Sequence, residues 1–413
     1  MSTSATRENL AQRLIAIRRR LHEYPELSGE ERATTEAIKL WLSEAGIRIV
    51  DYGLPTGVIA EIGGSAGAAF DGQAVAQGSG TSVPRFPVVA LRADIDALPI
   101  REETGLPYAS KVDGKMHACG HDFHTAALLG AAFGLKKRES ELPGVVRLLF
   151  QPAEEKAKGA QQLIAAGVLE GVNAIYGIHN KPDLPVGTIG VRGGPLMAAA
   201  DGFVVEVDGI GTHAASPEAG SDPIVTASHI ITALQSIVSR NVSALDSAVI
   251  SVTRLHAGSA WNVISEKAVF DGTIRTFTEH VRGTVLQRFE QVVAGVALAF
   301  GTTARVKWIE GPPAVVNDNR WAEIASRTAA AQGNTVVEPA LSPAGEDFAF
   351  YLRQTPGAFL FIGVDGPQQW HHPAFDLSEE ALPVAAKLLE NLALDALREL
   401  TVTEDAKQED VGD

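Results

Sequence analysis

Apolar positions along this chain follow two alternating rhythms. Leu10, Leu14, Ile17 and Leu21 recur at helical spacing over residues 8–22, and a second helical segment runs over 30–46 and closes at Gly46. Between such segments lie short unbroken apolar runs, which predict strands buried on both faces of a parallel sheet. Val88-Val89-Ala90-Leu91 empties into Arg92-Ala93-Asp94-Ile95-Asp96. Val145 to Phe150 ends at Gln151-Pro152-Ala153-Glu154-Glu155, and Ala174 to Ile178 ends at His179. An Ala- and Leu-rich helix is predicted over 124–138. Three times, polar chemistry follows the carboxyl end of an apolar strand. Open α/β sheets bind ligands there, and that shared placement groups these residues.

Near residue 198 the texture changes. Phe203 to Val207 alternates as a strand, and Pro223 to Ser239 predicts a helix with Ile224, Ala227, Ile231, Leu234 and Val238 on one stripe. Ala248 to Leu255, Lys267 to Thr276 and Thr303 to Ile309 read as strands, with a helix over 280–300. The order βαββαβ is that of a ferredoxin-like split unit. Helix resumes over Asp318 to Ala331, and the strand Phe359 to Gly363 leads to His371. The expected architecture is therefore α/β. A discontinuous domain over 1–197 and 311–413 carries a mixed sheet flanked by helices, and a smaller domain over 198–310 is inserted in it. Residues 63–87, rich in Gly, Ala and Ser, read as a flexible hairpin extension, and the acidic tail from Glu404 as frayed.

Composition narrows the function. A chain of 413 residues suggests two domains, and 45% hydrophobic with 21% charged residues describes a globular protein. A net charge of −15 argues against binding a phosphate backbone. The single cysteine excludes an internal disulfide. The polar stretch Met1 to Asn9 does not resemble a signal peptide, and no run reaches the roughly 20 apolar residues of a membrane span. A cytoplasmic protein is expected. Arg18, Arg19 and Arg20 read as a solvated helical end that suits the dipole, in preference to an anion patch.

The densest chemistry is His117-Ala118-Cys119-Gly120-His121-Asp122-Phe123-His124, followed downstream by Glu154, Glu155, His179 and His371. Thiolate, imidazole and carboxylate groups hold zinc-like or manganese-like ions, and a second carboxylate beside a ligand can take a proton from water. Each residue alone has an ordinary explanation: Cys119 as an inert buried hydrophobe, the paired glutamates as a solvated face, His179 and His371 as hydrogen-bonded core or surface groups. There is no His-Glu-x-x-His, no Cys-x-x-Cys and no phosphate loop. From the residues alone the metal site and these ordinary roles both stand.

The chain resembles the metal-dependent aminoacylase/carboxypeptidase family of peptidases. It is most similar to the branch of hippurate hydrolases, N-acyl-amino-acid amidohydrolases and indole-acetyl-amino-acid hydrolases. The matching segments are Arg19 to Ser28, Leu91 to Pro99, the cysteine cluster, Gln151 to Glu155 and Gly177-Ile178-His179-Asn180. Gly211 to Ala215, Asn262-Val263-Ile264, Gly272 to Arg275, Gly345 to Tyr351 and His371-His372-Pro373 complete the series.

The resemblance implies two divalent ions per chain (Zn, Mn, Ni or Co) held by Cys119, His121, Glu155, His179 and His371, with Cys119 bridging as thiolate. It makes Glu154 the general base. Asp94, Asp96 and Asp122 either orient the ligands or serve as strand-end caps and turn bonds. The inserted domain would be a lid that also mediates homodimerisation, with His213 reaching across to stabilise the oxyanion and Asn262 and Arg275 binding substrate. An N-acyl-amino acid would be cleaved to a carboxylic acid and a free amino acid. A dipeptidase or carboxypeptidase on the same scaffold is the alternative within the chemistry. A cysteine-nucleophile hydrolase or a non-catalytic binding protein is the alternative of another class. Three departures stand out: Glu218 where the branch usually has histidine, His372 after the ligand histidine, and the long 63–87 extension.

Overall fold

The computed structural model describes residues 3–63 and 86–409, so the extension read at 63–87 falls almost wholly outside the described residues. The chain forms two compact units. Met1–Gly194, Val316–Ala340 and Phe350–Asp413 make the first, and Pro195–Val315 with Leu341–Ala349 make the second.

The first unit opens with helices α1 (Thr3–Glu23) and α2 (Arg32–Glu44) and strands β1 (Arg48–Val50), β2 (Val58–Gly63) and β3 (Val88–Asp94). It continues through α3 (His121–Lys137), β4 (Val145–Gln151), α4 (Gly159–Ala165), β5 (Val172–Lys181) and β6 (Thr188–Gly190). After β7 (Gly194–Met197) the second unit holds β8 (Ala199–Asp208), β9 (Thr212–His213), α5 (Pro223–Asn241) and β10 (Ala248–Ala257). It closes with β11 (Val263–Ile264), β12 (Lys267–Thr276), α6 (Glu279–Ala299) and β13 (Thr303–Ile309), and β14 (Val315–Asn317) follows. The last stretch holds α7 (Asn319–Ala331), β15 (Thr335–Val337), α8 (Ala349–Leu352), β16 (Gly357–Gly363) and α9 (Ala381–Glu409).

One mixed sheet organises the first unit, in the order β1-β2-β4-β3-β5-β16-β6-β15. Its four central strands, β4, β3, β5 and β16, run parallel, while β2 and β6 flank them antiparallel. Every residue of β3 and β16 is buried, which is why they read as apolar runs without alternation. Helices α1, α3 and α9 pack around Leu14, Phe123, Leu128 and Leu389 in the same core. Because the central strands are parallel, their carboxyl ends share one edge of the sheet.

The second unit has its own four-stranded antiparallel sheet in the order β10-β12-β8-β13. Phe203, Phe270, Leu234 and Phe289 lie in the core that α5 and α6 form with it. Leu341–Ala349 joins this unit, although the sequence reading placed it with the first. Ser342 and Ala344 carbonyls both accept from Ala198 N–H, and Pro343 C=O accepts from Arg275 Nε.

Five local expectations change. Helix α3 begins at His121, not at 124, because Gly120 takes φ +83° and ends the preceding turn there. His179 lies inside β5, which runs two residues past it to Lys181. The inner stripe of α5 is Thr226, Ala227, Ile230, Leu234 and Ile237, with Ile224 exposed. That helix carries apolar residues on neighbouring faces, so packing on its sheet selects the stripe. Helix α9 continues to Glu409, past the point where order was expected to end. Arg18 is not solvated at all. It is fully buried, because at four residues from Leu14 it lies on the inner face of α1, paired with Asp122, Asp376 and Glu379. Arg19 and Arg20 remain at the surface.

Candidate metal centre

The cluster assembles at the shared carboxyl edge of the parallel strands. Strand β3 delivers Asp94, and Asp96 follows it. Strand β4 runs into a tight turn, Glu154–Lys156, flanked by Ala153 and Ala157 in left-handed conformation. Strand β5 supplies His179 near its end, and the segment after β16 supplies His371, itself left-handed at φ +65°. Cys119 precedes the Gly120 turn, and His121 opens α3. Sequence-distant residues thus meet because the topology is parallel.

Two donor groups share one sulfur. Cys119, His121 and His179 place ligand atoms within 4.8 Å of one another, and so do Cys119, Glu155 and His371. Cys119 Sγ lies 3.5 Å from His179 Nε2, and His371 Nε2 lies 3.4 Å from Glu155 Oε1. His121 Nε2 and Glu155 Oε1 face each other at 3.9 Å, and both are buried atoms that make no hydrogen bond. Buried polar atoms are normally satisfied, so two such atoms facing the shared sulfur fit positions kept for bound cations. Thiolate, neutral imidazole and carboxylate suit divalent transition metals. Glu154 groups in the same way with His121 and Glu155, so the remaining carboxylate stands beside the donors.

The supporting bonds explain the orientation. Asp96 accepts from His121 Nδ1 at 3.2 Å, from Ser28 Oγ at 2.6 Å, and from the backbone N–H groups of Glu154 and Glu155 at 3.2 and 3.1 Å. It therefore fixes one ligand ring and the turn bearing the two glutamates together. Asp94 Oδ1 accepts from His124 Nδ1 at 2.6 Å, and its Oδ2 accepts from Arg92 Nη1 and lies 3.6 Å from His121 Nε2. Burial opposes charge on His121, yet Asp94, then Asp96 and Glu155, raise its pKa to about 10. The local field favours positive charge at that ring. Burial, then the neighbouring His124, holds His179 well below the usual imidazole range, in the neutral form a metal requires.

Asp122 takes another direction. Its carboxylate meets His22 Nδ1 at 2.9 Å and Arg18 Nε at 3.1 Å, behind the helix terminus. In the second unit, β9 pairs with β11, so His213 stands opposite Val263, and Asn262 C=O accepts from Ala214 N–H. His213 is exposed, and its Nδ1 accepts from Ala215 N–H. Arg275 is half-buried on β12 and is held by Pro343, Thr273 and Ile274 oxygens. Glu218 is exposed in a short turn, and His372 accepts from Ala374 N–H at the surface.

Four supporting residues went unassigned from sequence. His124 lies one turn after His121, a spacing that places both on one helical face and could have drawn it in. Glu31 is buried and binds the backbone of Ala153 at 2.9 Å. Asn180 and Trp370 hydrogen-bond each other at 3.0 Å. Each of these two flanks a candidate ligand in sequence, which was the only signal available.

The profile of peptidase family M20/M25/M40 matches residues 90–395. An N-acetylcysteine deacetylase of Bacillus subtilis is 51% identical over 383 residues, covering 92% of this chain and 96% of that protein. IAA-amino acid hydrolase ILR1-like 4 of Arabidopsis thaliana is 37% identical over 414 residues, 96% of this chain and 89% of the other. The crystal structure of a Bacillus subtilis protein described as a dinuclear metal binding peptidase from the M20 family superposes with a TM-score of 0.82. It is 47% identical and covers 95% of this chain and 99% of that one.

Proposed function

The chain belongs to peptidase family M20/M25/M40, and from that premise we propose that it is a two-metal amidohydrolase cleaving N-acyl-amino acids to a carboxylic acid and a free amino acid. One observation carries this: two donor groups joined at Cys119, with Glu154 next to them. Cys119, His121 and His179 would hold one ion, and Cys119, Glu155 and His371 the other. Bound there, two divalent ions would supply Lewis-acid charge to the amide carbonyl oxygen and make water a stronger acid.

Glu154 takes the proton from the attacking water as oxygen adds to the carbonyl carbon. It returns that proton to nitrogen as the C–N bond breaks, so the amine leaves neutral. Asp96 holds the Glu154–Glu155 turn through both backbone N–H groups and keeps the base from drifting. Asp94 acts through His124 and Arg92, and Asp122 steadies the start of α3. An acetyl or similarly small acyl group is the first substrate class to test, by analogy with the deacetylase relative.

The second unit, with its βαββαβ order and 2-3-1-4 strand arrangement, supports a ferredoxin-like insert acting as lid. His213 would stabilise the oxyanion from a partner subunit, and Asn262 and Arg275 would bind the substrate carbonyl and carboxylate. Homodimerisation through this unit is supported by exposed Leu255 and Val249 on its edge strand β10 and by Trp261, 95% exposed.

The test combines metal analysis of the full chain with a panel of N-acetyl-, N-benzoyl- and indole-acetyl-amino acids set against dipeptides. We expect two ions per chain, amide turnover abolished by chelation, and Glu154→Gln with unchanged metal content but a kcat lowered about 10²- to 10⁴-fold. Turnover that survives chelation but not alkylation of Cys119 would replace this assignment with a thiol hydrolase.

A further inference from the structure

One side-chain amide joins three of the segments that carry candidate ligands. Asn180 Nδ2 donates to Cys119 C=O at 2.6 Å and lies 3.0 Å from His124 Nε2, while its Oδ1 accepts from Trp370 Nε1 at 3.0 Å. Its backbone is committed too. Asn180 N–H donates to His124 Nε2 at 2.9 Å, and its C=O accepts from His179 Nδ1 at 2.8 Å. The second of these fixes the His179 tautomer so that Nε2 faces the sulfur. Asn180 itself is fully buried.

The two donor groups differ in how firmly the fold holds them. His121 and His179 are buried and sit on α3 and β5. His371 is half-exposed, left-handed at φ +65°, and lies outside regular structure. Hydrogen bonds from His371 N–H to Ala118 C=O at 2.8 Å and from the Trp370 indole N–H to Asn180 Oδ1 tie its segment to the cluster, and Glu103 N–H donates to Pro373 C=O two residues on. The Trp370 ring also stands edge-on to His179 with centroids 4.7 Å apart.

Building on the two-metal assignment above, we propose that Asn180 and Trp370 form a positioning latch that sets the His371 segment against Cys119, and that the latch governs the Cys119–Glu155–His371 position selectively. Asn180 is the common frame: Nδ2 sets the backbone of the shared cysteine, and Oδ1 sets the turn that brings His371. Release of the indole lets the half-exposed histidine swing away from Glu155. The Cys119–His121–His179 group keeps its own supports, from Asp96 to His121 and from the Asn180 carbonyl to His179.

Trp370→Phe removes the indole N–H and keeps an aromatic ring against His179. Asn180→Asp keeps the acceptor for Trp370 and removes the donor to Cys119. Metal-stripped full chains of wild type and both variants would be titrated with Co²⁺, following the thiolate-to-cobalt charge-transfer band and equilibrium-dialysis stoichiometry. Thermal midpoints of the stripped proteins check folding. We expect two ions in wild type. In Trp370→Phe, one ion should bind as before, with the thiolate band retained, and the second should weaken 10- to 100-fold, as loss of an orienting partner does. Asn180→Asp, which also frees the backbone of the shared Cys119, should weaken both ions, the second at least as much as in Trp370→Phe. Unchanged affinity at both positions in Trp370→Phe, or equal weakening at both with folding intact, overturns the latch alone. A wild-type chain that binds no metal overturns the two-metal assignment and the latch with it.

Discussion

His121 Nδ1 lies 3.2 Å from Asp96 Oδ1, and this contact decides which edge of the imidazole meets Glu155. With Nδ1 donating to the carboxylate, Nε2 is the edge that points at the buried donor cluster, and it would bind a metal once its proton is displaced. The same carboxylate accepts from the backbone N–H groups of both glutamates, so one side chain orients two proposed ligands and the proposed base.

Replacing Asp96 by Asn keeps the shape but removes the charge and one acceptor oxygen. Zinc affinity should fall about 10- to 100-fold, measured by competition with a chromophoric chelator. The far-UV spectrum should be unchanged. Affinity within twofold of wild type would show that Asp96 has no orienting role.

Much of this centre was legible because parallel β-strands bury both faces. β3, β4 and β5 announced themselves as apolar runs, and the polar residues after them had to share an edge. His371 could be attached only through resemblance, since nothing local distinguishes a histidine in an irregular segment. Arg18 was misjudged for a physical reason. Sequence shows three arginines at a helix end, whereas burial of the middle of that helix depends on Asp122, Asp376 and Glu379, up to 361 residues away. Asn180 was invisible as a hub because its partners come from α3, the Cys119 turn and the His371 segment. Hydrogen bonds of that kind leave no periodic trace.

The buried group behind α3 makes stability depend on pH. Burial works against a charged His22, but the Asp122 charge and hydrogen bond, with a further bond to Glu102, raise its pKa from 6.5 to about 9. A folded-state value above the unfolded one means the contribution is fully present below pH 6.5 and is lost as pH rises through about 9. Thermal midpoints of wild type and His22→Gln, measured in chelator from pH 6 to 10, should therefore converge across that window. Asp122 stays paired with Arg18 throughout, so the fold survives the titration. A gap that is constant with pH would mean that His22 is neutral in the folded protein.

Gly120 joins Cys119 to His121, two of the proposed ligands, and its geometry admits no side chain. At φ +83° it occupies backbone space that L-residues rarely adopt. A Cβ built there would stand 2.5 Å from Asn180 Nδ2 and 3.3 Å from Leu377 Cδ2. The Asn180 amide cannot retreat without releasing the Cys119 carbonyl or Trp370. Gly120→Ala should therefore lower stability by about 1–2 kcal/mol from backbone strain alone. It should also weaken metal binding, because the turn that places Cys119 and starts α3 must open. Urea unfolding in chelator reads the first effect, and cobalt titration of the folded protein reads the second. A variant as stable as wild type, with the thiolate–cobalt band at full strength, would show that the turn tolerates a Cβ and that Asn180 is not fixed as tightly as these distances require.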